Sequence, residues 1–188
     1  MPRAAELLRL AGRDPAAEFP CLPAGADGAG GELGARKGRL AVSCQKAIAK
    51  AGAKFASVTE KLTHDCLRAV YACVQVKPAD PKCLPKAVAS CEKKRDRLDA
   101  PAKGAAAKLT AAIAKSCAKD PLVLADLLED AGLGFGSLAD ECLAFGVPSL
   151  DSVGSVSACL ERRHACRIEQ MLETEMPRLV ELLSCVPW

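Results

Sequence analysis

The sequence predicts an all-α protein, a disulfide-stapled helical bundle built on one long helix. Three observations carry that expectation. The stretch from Leu40 to Lys77 places Leu40, Cys44, Ile48, Ala51, Phe55, Val58, Leu62, Cys66, Ala69, Cys73 and Val76 at steps of three and four residues, the spacing of a seam along one helix face. Cysteines recur two helical turns apart, as in Cys66 with Cys73 and Cys159 with Cys166, and no segment alternates like a strand. The core is otherwise poorly furnished. Aromatics are 3% of the chain and the 50% hydrophobic fraction leans on Ala and Cys, which bury little area at about 25 cal/mol per Å². Eleven cysteines, at about 2 to 4 kcal/mol per disulfide, offset that weakness and point to an oxidising compartment.

In chain order, Pro2 to Gly12 reads as a short opening helix with Leu7, Leu8 and Leu10 on one face, and Phe19 to Gly34 as an irregular Gly- and Pro-rich strap containing Cys21. The long helix follows. Pro78 and Pro81 end it and turn the chain back. A second helix is expected from Cys83 to Leu98, and a third from near Pro101, capped by Asp99 and carrying Leu109, Ile113 and Cys117 inward. Asp120-Pro121 resembles the cap and first turn of a fourth helix ending before Gly132, and Ser137 with Asp140 resembles a capping box for a fifth ending at Gly146. A last helix starts near Ser155, bends at Pro177 and finishes near Cys185. The organisation is therefore residues 1–35 as helix and strap, 36–119 as a basic stapled bundle, and 120–188 as an acidic helical region packed on the same domain.

Charge divides the chain along those lines. Residues 36–119 carry 19 Lys and Arg against 6 Asp and Glu, a net +13, whereas 120–188 carry 4 against 12, a net −8. Met1 to Phe19 is interrupted by Arg3, Glu6, Arg9, Arg13 and Asp14 and shows no signal-peptide core, and no apolar run is long enough to span a membrane. Residues 1–8 and 176–183 match at six of eight positions, as Met-Pro-Arg-x-x-Glu-Leu-Leu, and Pro20-Cys21-Leu22-Pro23 resembles Ser184-Cys185-Val186-Pro187. The chain ends where a second copy of itself would begin, unless helix-forming residues coincide by chance.

Partners across an antiparallel hairpin have residue numbers of near-constant sum, which pairs Cys73 with Cys83 and Cys66 with Cys91. The same geometry pairs Cys44 with Cys117. Cys159 and Cys166 are then expected to meet Cys142 and Cys185, and Cys21 is left unpaired or intermolecular. The two-rung hairpin resembles the twin-cysteine coiled-coil-helix proteins, although its cysteines are closer together than theirs. Residues 44–55, Cys-Gln-Lys-Ala-Ile-Ala-Lys-Ala-Gly-Ala-Lys-Phe, with 106–117, Ala-Ala-Lys-Leu-Thr-Ala-Ala-Ile-Ala-Lys-Ser-Cys, are similar to cysteine-rich α-helical modules of large predicted secreted bacterial proteins. That resemblance implies secretion and a helical disulfide module and assigns no activity.

No stretch reads as catalytic, and no cofactor or metal is called for. There is no C-x-x-C, the pattern of zinc knuckles and thioredoxin-like sites. A thiol store for Cu(I) is an alternative, yet it favours cysteines one turn apart rather than two. His64 and His164 precede Cys66 and Cys166 by two residues, a spacing that points side chains apart on a helix, so both read as helix-surface histidines. Asp126, Glu129 and Asp130 read as a solvated face. The Lys/Ala runs at 46–54 and 103–119 suggest attraction to an anionic polymer, a surface polysaccharide before a nucleic acid, given the scarcity of stacking aromatics. The leading expectation is a non-enzymatic, secreted or cell-surface structural repeat that assembles head-to-tail with copies of itself, its acidic tail meeting the next basic body.

Overall fold

The computed structural model describes residues 33–186. The expected opening helix, most of the strap and Cys21 lie outside the described residues. Within them the chain is all helical, with no strand: α1 Gly34–Val76, α2 Cys83–Asp99, α3 Ala105–Cys117, α4 Leu124–Leu128, a 3-10 turn Phe135–Leu138, α5 Ala139–Ala144, α6 Val153–Glu175 and α7 Leu179–Leu183.

The long helix begins six residues before Leu40. Its first turns are held from outside: Leu33 and Leu40 pack against the lower core, and Lys37 reaches the buried carboxylate of Asp126 at 3.0 Å. Asp126 also accepts the Val123 N–H at 2.8 Å. That backbone bond, with Lys37 assisting, holds its carboxyl below the ordinary 3.8. Asp126 is thus an internal cap for α4 rather than part of a solvated face, while Glu129 and Asp130 remain exposed.

Along α1 the seam residues Cys44, Ile48, Phe55, Leu62, Cys66 and Cys73 are buried, but Gly52, Thr59, Thr63, Leu67 and Val70 are buried as well. The stripe is wider than a two-helix seam because α6 packs on a second flank of α1, against α3 too. Val76 is the exception, 73% exposed where the helix runs past its partners. The return path down α1 is made by two helices in series. α2 lies beside the upper half and α3 beside the lower, so that 17 and 13 residues together match most of a 43-residue helix.

Pro101 does not open α3. The Lys103 and Gly104 N–H groups both close on the Ala100 carbonyl, at 3.2 and 2.7 Å, making a tight turn in which Ala102 takes φ 62°. A Cβ on Gly104 would sit 2.3 Å from the Leu98 carbonyl oxygen, so only glycine fits there. Similar local detail revises the later starts. Asp120-Pro121 precedes an extended Val123, and α4 is only five residues long. Ser137 donates to the Gly134 carbonyl at 2.8 Å instead of capping α5. α6 is capped by Ser152, which exchanges reciprocal N–H to Oγ bonds of 3.0 Å with Ser155.

Two cores result. The lower gathers Cys44, Ile48 and Phe55 of α1, Leu109 and Ile113 of α3, Leu127 of α4, and Val156 and Leu160 of α6. The upper gathers Leu67 and Val70 of α1, Ala87 of α2, Ile168 and Leu172 of α6, and Leu179 and Leu182 of α7. Residues beyond 120 therefore share both cores with the basic bundle. Four disulfides staple these layers: Cys44–Cys117, Cys66–Cys91, Cys73–Cys83 and Cys142–Cys159, with Cα separations of 4.8, 5.0, 5.5 and 5.2 Å. Cys166 and Cys185 are separate thiols and not the expected pair. The reason is the docking of α7: Leu179, Leu182 and Val186 turn into the upper core, which leaves Cys185 exposed in the turn that follows, its thiol donating to the Glu181 carbonyl at 3.5 Å.

Two outcomes are expected of urea denaturation. Removing Cys44–Cys117, whose partners are 73 residues apart, by paired Ser substitution lowers unfolding free energy by about 4 kcal/mol, against about 3 kcal/mol for Cys73–Cys83, ten residues apart, in urea denaturation. Thr59 Oγ1 is buried with no hydrogen-bond partner among the described residues, so Thr59→Val raises stability by about 1 kcal/mol in the same assay.

Candidate anion-binding groove

The seam between α1 and α3 is covered by α6 on one side and open on the other. On the open side lies a groove of about 950 Å³. Its floor is Ala47, Ala51, Phe55 and Val58 from α1 and Ala105, Leu109 and Ala112 from α3. These positions recur at three and four residues, so they fall on one face of each helix. The small side chains keep the floor low. Lysines occupy the intervening turns: Lys50, Lys54 and Lys61 form one rim, Lys108 and Lys115 the other. The upper end is closed by Asp96, Arg97, Ala100 and Lys103, where α2 stops and the Gly104 turn hands the chain to α3.

Seven Lys and Arg side chains and one carboxylate thus line an apolar trough. All seven cations are exposed, and none forms an ion pair with another described residue. The two Lys/Ala runs, 46–54 and 103–119, whose sequence suggested attraction to an anionic polymer, are brought together here, and Cys44–Cys117 ties α1 to α3. The signal available in the sequence was the repetition of alanine and lysine once per turn in both runs.

His164 departs from the surface role read for it. It is half-buried on α6 where that helix crosses α1 at Gly52, and a Cβ on Gly52 would stand 2.6 Å from its Nε2. The ring also meets Phe55, with centroids 6.5 Å apart and planes tilted by 48°. His64 is exposed on α1. Cys166 is half-buried and Cys185 exposed; the other eight described cysteines are disulfide-bonded. Among the described residues no group of three or more His, Cys, Asp or Glu gathers to hold a metal ion, and no helix is long and apolar enough to cross a membrane.

Burial first, and the neighbouring Arg163 second, push the His164 imidazole below its ordinary 6.5. The folded chain favours the neutral ring, whereas the unfolded chain takes up a proton at the ordinary value. Stability from this site is therefore fully present above 6.5 and is lost as pH falls below that and through the lower folded value. Thermal melting followed from about pH 7.5 to about pH 5 is expected to show a fall for the natural chain and a smaller one for His164→Gln.

Neither a protein-family model, nor a curated protein, nor a solved structure matches this chain.

Proposed function

We propose that this chain is a non-enzymatic, exported, disulfide-stapled module that binds an anionic polymer through the basic groove between α1 and α3. One observation carries the reading: seven cations against one carboxylate line an open trough, and none of the seven is ion-paired with another described residue. Like charges so arranged repel one another and raise the local potential, and an anion entering the groove relieves both. Charge of one sign suits holding a ligand. The four disulfides fit a destination in an oxidising compartment. A surface polysaccharide is favoured over nucleic acid, because the aromatic in the groove, Phe55, is a buried floor residue and offers no stacking platform.

A second reading, the self-assembling repeat, is favoured by α7. Of the six residues shared with the start of the chain, Leu182 is buried and Met176 and Leu183 pack against the upper core, while Arg178 and Glu181 form an ion pair with a 2.7 Å Nε to Oε2 bond. The repeated letters are thus ones that let this turn dock. Leu179, also buried, is an alanine in the first copy.

Dextran sulfate binding, read by isothermal titration, is expected to weaken steeply as salt rises from about 0.1 M to about 1 M, where the screening length drops from about 10 Å to about 3 Å. Lys54→Glu with Lys108→Glu should abolish it, while Lys86→Glu with Lys93→Glu, exposed on α2 outside the groove, should reduce it only modestly. Equal losses from the two pairs would mean diffuse charge and no groove site. Light scattering on the same samples tests the second reading, which requires multimers at low salt.

A further inference from the structure

The cations of the groove run along its whole length. Lys50, Lys54 and Lys61 face Lys108 and Lys115 across the alanine floor, whereas a single-headed amphiphile needs positive charge only at the end where its head lies. A polyanion without apolar groups uses the rims and leaves the floor wet. A ligand that satisfies both has an apolar stripe and acidic flanks on either side of it, which is the chemistry of an amphipathic helix in the manner of coiled-coil core and flanking positions.

Dimensions agree. From Ala47 to Leu62 the α1 wall spans roughly 22 Å at 1.5 Å per residue. A helix of that length and about 10 Å in diameter occupies roughly 1,700 Å³, and half of it sunk into the groove takes a little under the 950 Å³ available. Ala51, Ala105 and Ala112 in the floor let the incoming axis approach to the 8 to 10 Å of ordinary helix packing.

We propose that the α1–α3 groove is the seat of an acidic amphipathic helix of about four turns, supplied by a partner protein. The inference rests on the reading above that the groove takes an anionic ligand, and it departs from that reading in the ligand's class, an acidic helix in place of a polysaccharide. The bound helix would pack its apolar stripe on the alanines and set its carboxylates against the lysine rims, completing a four-helix arrangement with α1, α3 and α6.

The test uses the full oxidised chain and a labelled synthetic peptide of about 15 residues, built from Leu, Ala and Glu, with leucine at i, i+3, i+4 and i+7 and glutamate on both flanks. A scrambled peptide of identical composition is the comparison. The amphipathic peptide is expected to bind at least about tenfold tighter than the scrambled one and to gain helicity on binding, read by circular dichroism. Ala112→Leu, which fills the floor without changing charge, should weaken the amphipathic peptide about tenfold and leave the scrambled one unchanged. Ala105→Leu on the same wall replaces it if Ala112→Leu alters the melting temperature. Equal binding of the two peptides, or indifference to the floor substitutions, overturns the helix proposal; if dextran sulfate still binds, the anion-binding reading survives alone. Displacement of the peptide by dodecanoate at lower concentration than by free peptide also overturns it, in favour of a single-chain amphiphile. If neither peptide nor dextran sulfate binds, both readings fall together.

Discussion

The length of α1 governs this fold. A helix of 43 residues extends roughly 64 Å and cannot bury an apolar face unless something follows it along most of that distance. No other described helix is long enough. The chain answers with α2 and α3 end to end on one flank and the 23-residue α6 on another, and it fixes the return path by bridges at both extremes, Cys73–Cys83 above and Cys44–Cys117 below. The joint between the two return helices, Ala100 to Gly104, is where the coverage of α1 is interrupted. The groove opens beside that joint and runs down from it.

Alanine has two consequences here. At the core margins, as at Ala51, Ala105 and Ala106 below and Ala56 and Ala69 above, it adds little buried area, and the covalent links supplement packing there. It also keeps the α1–α3 surface low, so that the lysines stand above it as rims. Substituting larger apolar residues at Ala51 or Ala112 would improve burial and erase the trough. Stability and the proposed binding would thus compete for the same positions, with the disulfides supplying stability that the alanines do not.

How much of this could be read from letters depends on distance along the chain. The α1 seam repeats every turn, and rungs of an antiparallel hairpin obey simple numbering, so both are visible locally. Two limits appear at once. Gly52 looks like a flaw in a helix until α6, more than a hundred residues later, lays His164 over it. The rims of the groove come from segments that are half a domain apart, and nothing in either run says which turn faces the other. Short elements fail for a different reason: α4, with five residues, is too short to be specified by its own propensity and owes its cap to Asp126 and its anchor to Lys37. Cys166 and Cys185 have the spacing of a bridge, but the path of α7 into the upper core decides their separation, and that path is set by Leu179 and Leu182.

The bridges are nested: Cys73–Cys83 lies inside Cys66–Cys91, which lies inside Cys44–Cys117. Mechanically, tension applied to the two ends of the chain enters this region at Cys44, crosses one sulfur–sulfur bond and leaves at Cys117. The 73 residues of sequence separation between those two cysteines carry none of it. The upper part of α1, all of α2 and nearly all of α3 are slack relative to the line of pull, and so are the α1 and α3 walls of the groove. A module strung between two anchors would stretch through its flanking segments while the trough kept its shape, and a cut anywhere inside the outer loop would leave both pieces tied to the line.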